Sequence, residues 1–185
     1  MILNVLFLIA LTFPVAVAST AFSINNEQLS TNSLQFGQKL MFALILALGQ
    51  GVMYTLGSLL GGTFMHMLGE YSQWVILVLC FAIYYRMFIN TLKIKKGANL
   101  YFVQTKKQLL LLSIALGVNA FVAGLMEEFY QPFQNLTPYL LMAVAFVWAL
   151  AEMLIPFSKM KLTINSLLNL ILAFVIFAKG FWGLF

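Results

Sequence analysis

The run KLMFALILALGQGVMYTLGSLLGGTFMH, Lys39–His66, carries no charged residue between its two ends. About 20 apolar residues are enough for an α-helix to cross ~30 Å of hydrocarbon, so this run reads as a transmembrane helix. The same reading extends outward in both directions. Apolar stretches at approximately 1–23, 72–92, 107–129, 137–157 and 163–185 are each long enough to cross, and with 39–66 they take up nearly all of the 185 residues. With 63% hydrophobic and only 8% charged residues, the chain has room for short polar loops and none for a soluble domain.

In lipid every backbone N–H and C=O must be satisfied within the chain, which leaves helices or a closed barrel. The alternation of apolar and polar residues that barrel strands need is absent. The expected fold is an all-α, multi-pass membrane protein of six transmembrane helices, with 1–185 as a single integral membrane domain. The first segment also has the look of a secretory signal, since Leu6–Leu11 forms an apolar core and Ala16-Val17-Ala18 is a small-residue run. No Lys or Arg precedes that core, so the segment is read as a helix. Pro14 falls in its middle, where it removes one helical hydrogen bond and is expected to kink or interrupt the helix unless a neighbour satisfies the freed carbonyl.

Basic residues set the expected orientation. Lys93, Lys95, Lys96, Lys106 and Lys107 cluster between the third and fourth spans, and the positive-inside rule puts that loop in the cytoplasm. Six crossings then place both termini on the non-cytoplasmic side. Lys39, Lys159 and Lys161 fall on the cytoplasmic side with the cluster, while Glu70, Glu127 and Glu128 fall outside; Lys179 is the dissenter. The net charge of +5 and pI near 9.4 follow from this topology and from contact with anionic lipid headgroups, so no nucleic-acid partner is implied. Cys80 is the only cysteine, which excludes an intrachain disulfide and leaves it as an apolar packing residue.

Three spans precede the lysine-rich loop and three follow it. Because three is odd, two related halves insert with opposite orientation, the plan of inverted-repeat transporters. Repeat one is expected over about 1–92, the loop over about 93–106 and repeat two over about 107–185. Substrate sites in such folds lie near mid-membrane at the interface between repeats, which directs attention to the first, second, fourth and fifth helices.

Within the second span, Gly57 and Gly61, and Ser58 and Gly62, are small residues four apart, a spacing that lets helix backbones approach closely in lipid. Gln50 differs, because a primary amide in hydrocarbon needs a partner: either an interhelical hydrogen bond or a polar path. Glu152 is the one carboxylate well inside a span, hence a candidate ion ligand or proton carrier; alternatively it snorkels or pairs near Lys159. Arg86 is expected to anchor the cytoplasmic end of the third helix. His66 stands alone, with no second His or Cys at metal-ligand spacing. Glu127 and Glu128 mark the outer end of the fourth span, where they could draw cations.

The second span, Gln50-Gly51-Val52-Met53-Tyr54-Thr55-Leu56-Gly57-Ser58-Leu59-Leu60-Gly61, resembles the second-helix signature of the bacterial manganese efflux pumps, within the lysine exporter superfamily. Gln73-Trp74-Val75 followed by Tyr85-Arg86-Met87-Phe88-Ile89 is similar to that family's third helix, and length, six helices and charged central loop match over essentially the whole chain. The resemblance implies a secondary transporter in the bacterial cytoplasmic (inner) membrane. It also implies cation-binding Asp residues in the first and fourth helices, each followed by small residues. This chain contains no Asp, and those positions fall at Pro14 and Asn119. Mn²⁺ favours carboxylate, carbonyl and water oxygens, so their loss weakens the case for manganese.

Gly-rich phosphate loops, nucleophile elbows and His-Glu metalloprotease motifs are absent from the sequence, so an enzyme is not expected. No cofactor is expected either, and manganese would enter only as substrate. The resulting expectation is a divergent exporter of a cation or small polar solute, with Glu152, Asn119, Gln50 and Met53 lining its ion site. The alternative is a transport-inactive structural or accessory subunit of a larger membrane complex. Partners are then membrane lipids, the transported solute, and a protein partner or a second copy of the chain.

Overall fold

The computed structural model describes residues 2–29, 36–95, 105–127, 136–155 and 159–182. Among them the chain forms α1 (Ile2–Leu29), α2 (Phe36–Leu68), a 3-10 turn (Gly69–Tyr71), α3 (Ser72–Lys95), α4 (Lys106–Leu125), α5 (Thr137–Leu154) and α6 (Lys159–Trp182). Lys96, Glu128 and the interior of the lysine-rich loop lie outside the described residues, as do the expected span ends beyond 127, 155 and 182.

All six helices are long and apolar enough to cross a bilayer. Their apolar spans, Leu3–Phe22, Phe36–Phe64, Ser72–Lys93, Lys107–Leu125, Thr137–Leu154 and Thr163–Trp182, fall close to those read from the sequence. The largest difference is in α1, which stays helical through Ser23–Leu29 after its apolar run has ended. Hydropathy reports where hydrocarbon ends, whereas a helix continues as long as its backbone bonds do.

Local chemistry sets the visible ends. Thr105 accepts from the Gln108 backbone N–H at 3.3 Å and its own N–H donates to the Gln108 side chain at 3.2 Å, a capping box that starts α4. Pro138 occupies the first turn of α5, where its missing N–H costs nothing. Gly69, at φ +51°, supplies the left-handed residue that turns α2 back into α3. Pro14 does not end α1, which runs unbroken on both sides of it.

The helices pack in the order α4, α2, α5, α1, α6, α3. α2 lies between α4 and α5; α1 lies between α5 and α6; α3 rests on α6 and meets α4 only sparsely. Two apolar clusters fill the interior. One gathers Phe13, Tyr54, Ile83, Met87, Met126, Leu141 and Ile176. The other, nearer the Lys95 and Lys106 helix ends, gathers Phe22, Phe42, Leu46, Leu109, Leu116, Ala149 and Met153, with Phe22 stacked on Phe42 at 3.9 Å. Outside them, Leu59, Trp74, Val78, Leu111, Val147 and Trp182 are exposed, as expected of side chains whose solvent is lipid.

The tightest seam is between α2 and α4. A Cβ added to Gly61 would sit 2.5 Å from the Leu125 carbonyl oxygen and 2.7 Å from its Cα, and Gly57 faces the Phe121 backbone in the same way. α4 answers with Gly117 and Gly124, against Met53 and the Tyr54–Ser58 backbone. The absence of side chains at these points is what lets the two backbones touch.

Candidate functional site

Polar side chains inside a bilayer must be satisfied by the protein, by water or by a ligand, so each buried one shows where chemistry is concentrated. Glu152, near the end of α5, is buried. The Thr20 hydroxyl of α1 donates to its Oε2 at 2.8 Å, and Asn165 Nδ2 of α6 donates to Thr20 Oγ1 at 3.0 Å. One residue further along α5, the Met153 carbonyl accepts from Lys39 Nζ of α2 at 3.1 Å, so an ammonium covers the helix C-terminus. Glu152 is therefore drawn into a carboxylate–hydroxyl–amide chain that ties three helices together.

Asn119 lies elsewhere. Its Oδ1 accepts from Arg86 Nη1 at 2.7 Å, and Arg86 Nη2 donates to the Ala115 carbonyl. The expectation that Arg86 anchors the end of α3 is thereby corrected: the guanidinium reaches across to α4 and finds its acceptors there. A membrane interior offers a guanidinium no better acceptors than a neighbouring helix can, so an arginine within reach of an amide and a carbonyl turns toward them.

Gln50 sits on α2 one turn from Leu46 in one apolar cluster and one turn from Tyr54 in the other. Its side chain is fully buried, and among the described residues neither its amide oxygen nor its amide nitrogen has a hydrogen-bond partner. Met53, three residues on, packs toward Gly117 of α4. One turn beyond Gln50, the Tyr54 hydroxyl is within hydrogen-bonding reach of Thr137 and Glu127.

Glu152, Asn119 and Gln50 are thus buried and Met53 half-buried, yet the described contacts tie Glu152 to α1, Asn119 to α3 and Met53 to α4, without joining the four. Among the described residues no three His, Cys, Asp or Glu side chains gather as a metal site. An apolar groove of about 550 Å³ between α1 and α5, lined by Leu8, Leu140, Val144, Val147 and Trp148, contains none of the four.

Two further polar groups lie outside the four expected site residues, and of these the α6 asparagines were not singled out from the sequence. Asn169 Nδ2 of α6 donates to the Met87 carbonyl at 2.9 Å and to Thr91 Oγ1 at 2.8 Å, binding α6 to α3. Asn165 and Asn169, four apart in α6, form a polar stripe that spacing alone could have shown. Lys179, the dissenting cation of the charge pattern, is buried: its Nζ donates to Asn4 Oδ1 at 3.0 Å and lies 4.3 Å from the centroid of the Phe7 ring.

In comparison with known proteins, the model of the family described as "Putative manganese efflux pump" aligns with residues 33–178. No curated protein and no solved structure matches the chain.

Proposed function

The chain belongs to the manganese efflux pump family, and from that premise we propose that it exports a cation or small polar solute across the bacterial cytoplasmic membrane by alternating access. A family of efflux pumps is not an enzyme class, and the six apolar helices make this a multi-pass membrane protein. In the proposed topology the lysine-bearing ends of α3 and α4 face the cytoplasm and both termini face away from it.

Gln50 carries the proposal. A buried, unpartnered amide costs about 1–3 kcal/mol, and nothing in a purely structural role explains why leucine does not take its place between two leucine-rich clusters. A solute or its hydration water, passing at this level, would complete those hydrogen bonds. The helix pairing supports a two-repeat mechanism: α2 packs on α4 as α5 packs on α1, while α3–α6 and α2–α5 pair across the halves, the pattern expected of three-helix units exchanged by a pseudo-twofold. Glu152, with Thr20 and Asn165 behind it, is the proposed carboxylate of the path, and Met53 and Asn119 its further lining.

The test is Gln50→Leu. On this reading the variant is as stable as wild type or more so, while resistance of expressing cells to the exported solute, Mn²⁺ being tried first, is lost. Glu152→Gln and Asn119→Ala at normal expression should also lose resistance. The filled apolar clusters and the missing Asp residues favour the second reading, a structural subunit. That reading prevails if wild type confers resistance to no metal or amino acid and its deletion destabilises a co-purifying membrane protein.

A further inference from the structure

Three contacts between α2 and α5 show that the two helices run antiparallel: Lys39 Nζ on the Met153 carbonyl, Gly51 against Met142, and Tyr54 beside Thr137. Gln50 therefore lies eleven residues from the Lys39 contact (50 − 39), roughly 16 Å along α2, and only four from Tyr54 (54 − 50), roughly 6 Å. Its direction is fixed as well. Gly49 faces Ser113 of α4 and Gly51 faces Met142 of α5, while Leu48 and Val52 on the opposite side of α2 are exposed. The Gln50 side chain, between the two glycines, thus points into the bundle. A polar tie lies on each side of it. Toward Lys39, the Thr20 hydroxyl of α1 donates to Glu152 of α5. Away from Lys39, one turn past Gln50 on the same face of α2, the hydroxyl of buried Tyr54 meets Thr137 at the start of α5 and Glu127 just past the end of α4.

We infer that Tyr54 is a gating residue of the transport path: its hydroxyl, held by Glu127, is the catch on which Thr137 closes the start of α5 over Gln50. This rests on the export reading given above. The three helices at the catch are not equally held. Gly57 and Gly61 lock α2 onto the α4 backbone, so Tyr54 and Glu127 belong to one closely packed pair. α5 meets that pair here through side chains, Thr137 on Tyr54 and Met142 against Gly51, and these can part without unpacking a backbone seam. The element that swings is therefore the start of α5. A phenylalanine would fill the same place in the apolar cluster, so the Tyr54 hydroxyl adds only the tie to the other two helices. Glu127 is half-buried at a helix end, where water can reach it once the catch is open. Alternating access then requires the Thr20–Glu152 tie to hold while this one is broken.

The experiment places a thiol at the Gln50 layer. Cys80 is the only cysteine, so Gln50→Cys in a Cys80→Ala chain carries one reactive group, and a charged, membrane-impermeant methanethiosulfonate is applied to intact cells and to inverted membrane vesicles. Adding Tyr54→Phe is expected to raise the labelling rate roughly ten- to a hundredfold from one side only, the equivalent of one hydrogen bond to a charged group. Thr137→Val should act from that same side, and Thr20→Val from the other. Unchanged labelling in both Tyr54→Phe and Thr137→Val overturns the gate, and so does a rise from both sides at once, which would mean a general loosening. Resistance to Mn²⁺, measured in chains that keep Gln50 and Cys80, separates this from the reading beneath it. Export by wild type together with labelling that ignores Tyr54 removes the gate alone. One-sided labelling in a chain that confers resistance to no metal or amino acid keeps the motion of α5 and removes export.

Discussion

Gly61→Ala probes the seam on which the α2–α4 pair depends. The new methyl would lie 2.5 Å from the Leu125 carbonyl oxygen, 2.7 Å from its Cα and 2.8 Å from its carbonyl carbon. Carbon contacts are comfortable at about 3.5 Å or more, so one of the helices must move by roughly 1 Å. All three obstacles are backbone, which cannot rotate aside as a side chain would. Overpacking of this kind costs up to ~3 kcal/mol, and the intrinsic helical gain of Ala over Gly returns about 1 kcal/mol, leaving a net loss near 2 kcal/mol. Gly57→Ala meets the Phe121 backbone on the same face. Because one separation of the helices relieves both clashes, the double variant should cost less than the sum of the singles. Gly61→Leu, with three more carbons in the same place, should abolish the folded yield. Gly37→Ala is the control: nothing lies within 4 Å of its added Cβ, so the variant should be neutral or slightly stabilised. Unfolding in mild detergent, followed by intrinsic fluorescence, measures the four alanine variants, and the yield of folded protein reports on Gly61→Leu. A Gly61→Ala protein as stable as Gly37→Ala would refute close backbone packing as the constraint on this seam.

The other expectations are independent of it. Thr20→Val keeps shape but removes the donor to Glu152, and should destabilise by about 1–3 kcal/mol in chemical unfolding; an unchanged midpoint would show that the carboxylate does not depend on that hydroxyl. Asn4→Leu and Lys179→Met should each destabilise, since each removes one side of the Asn4–Lys179 hydrogen bond beside Phe7, while the double variant should recover part of the loss; strict additivity of the two would dissolve the pair. Asn169→Leu should lower stability by loosening α6 from Met87 and Thr91 on α3, and a wild-type melting curve would count against that link. A reporter fused after Phe185 should be active only if it functions outside the cytoplasm, and cytoplasmic activity would reverse the proposed topology.

What could be read in the sequence is what depends on one helix at a time. Hydropathy alone located six spans, because a helix in lipid must be apolar over its whole length whatever it packs against. The Gly57 and Gly61 spacing announced a close approach, because glycines on one helix face can serve little else. Pairing between helices was not legible. Thr20 looks like any hydroxyl at the end of a span until α5 brings Glu152 to it. Arg86 looks like an interfacial anchor until α4 is placed within its reach. The same limit held for Lys179, whose partner Asn4 is 175 residues away in the chain. For the candidate site, residue type singled out Gln50 and Glu152 as unusual in hydrocarbon and the family resemblance pointed to Asn119, but only the packing shows that they occupy separate places in the interior.

α1 precedes α2 to α6 in the chain, yet its packing surface is provided by α5 and α6, and it barely touches α2. Its assembly partners do not exist while it enters the membrane. The helix is built to wait: Thr12, Ser19 and Thr20 each have a hydroxyl bond back to a carbonyl of their own helix, at Leu8, Val15 and Ala16, so these three hydroxyls can sit in lipid with their donors satisfied. Only when α5 arrives does the Thr20 hydroxyl find Glu152. Completion of the bundle thus waits for the synthesis of α5 and α6, and a chain truncated before α5 would leave α1 inserted but undocked, a surface open to quality control.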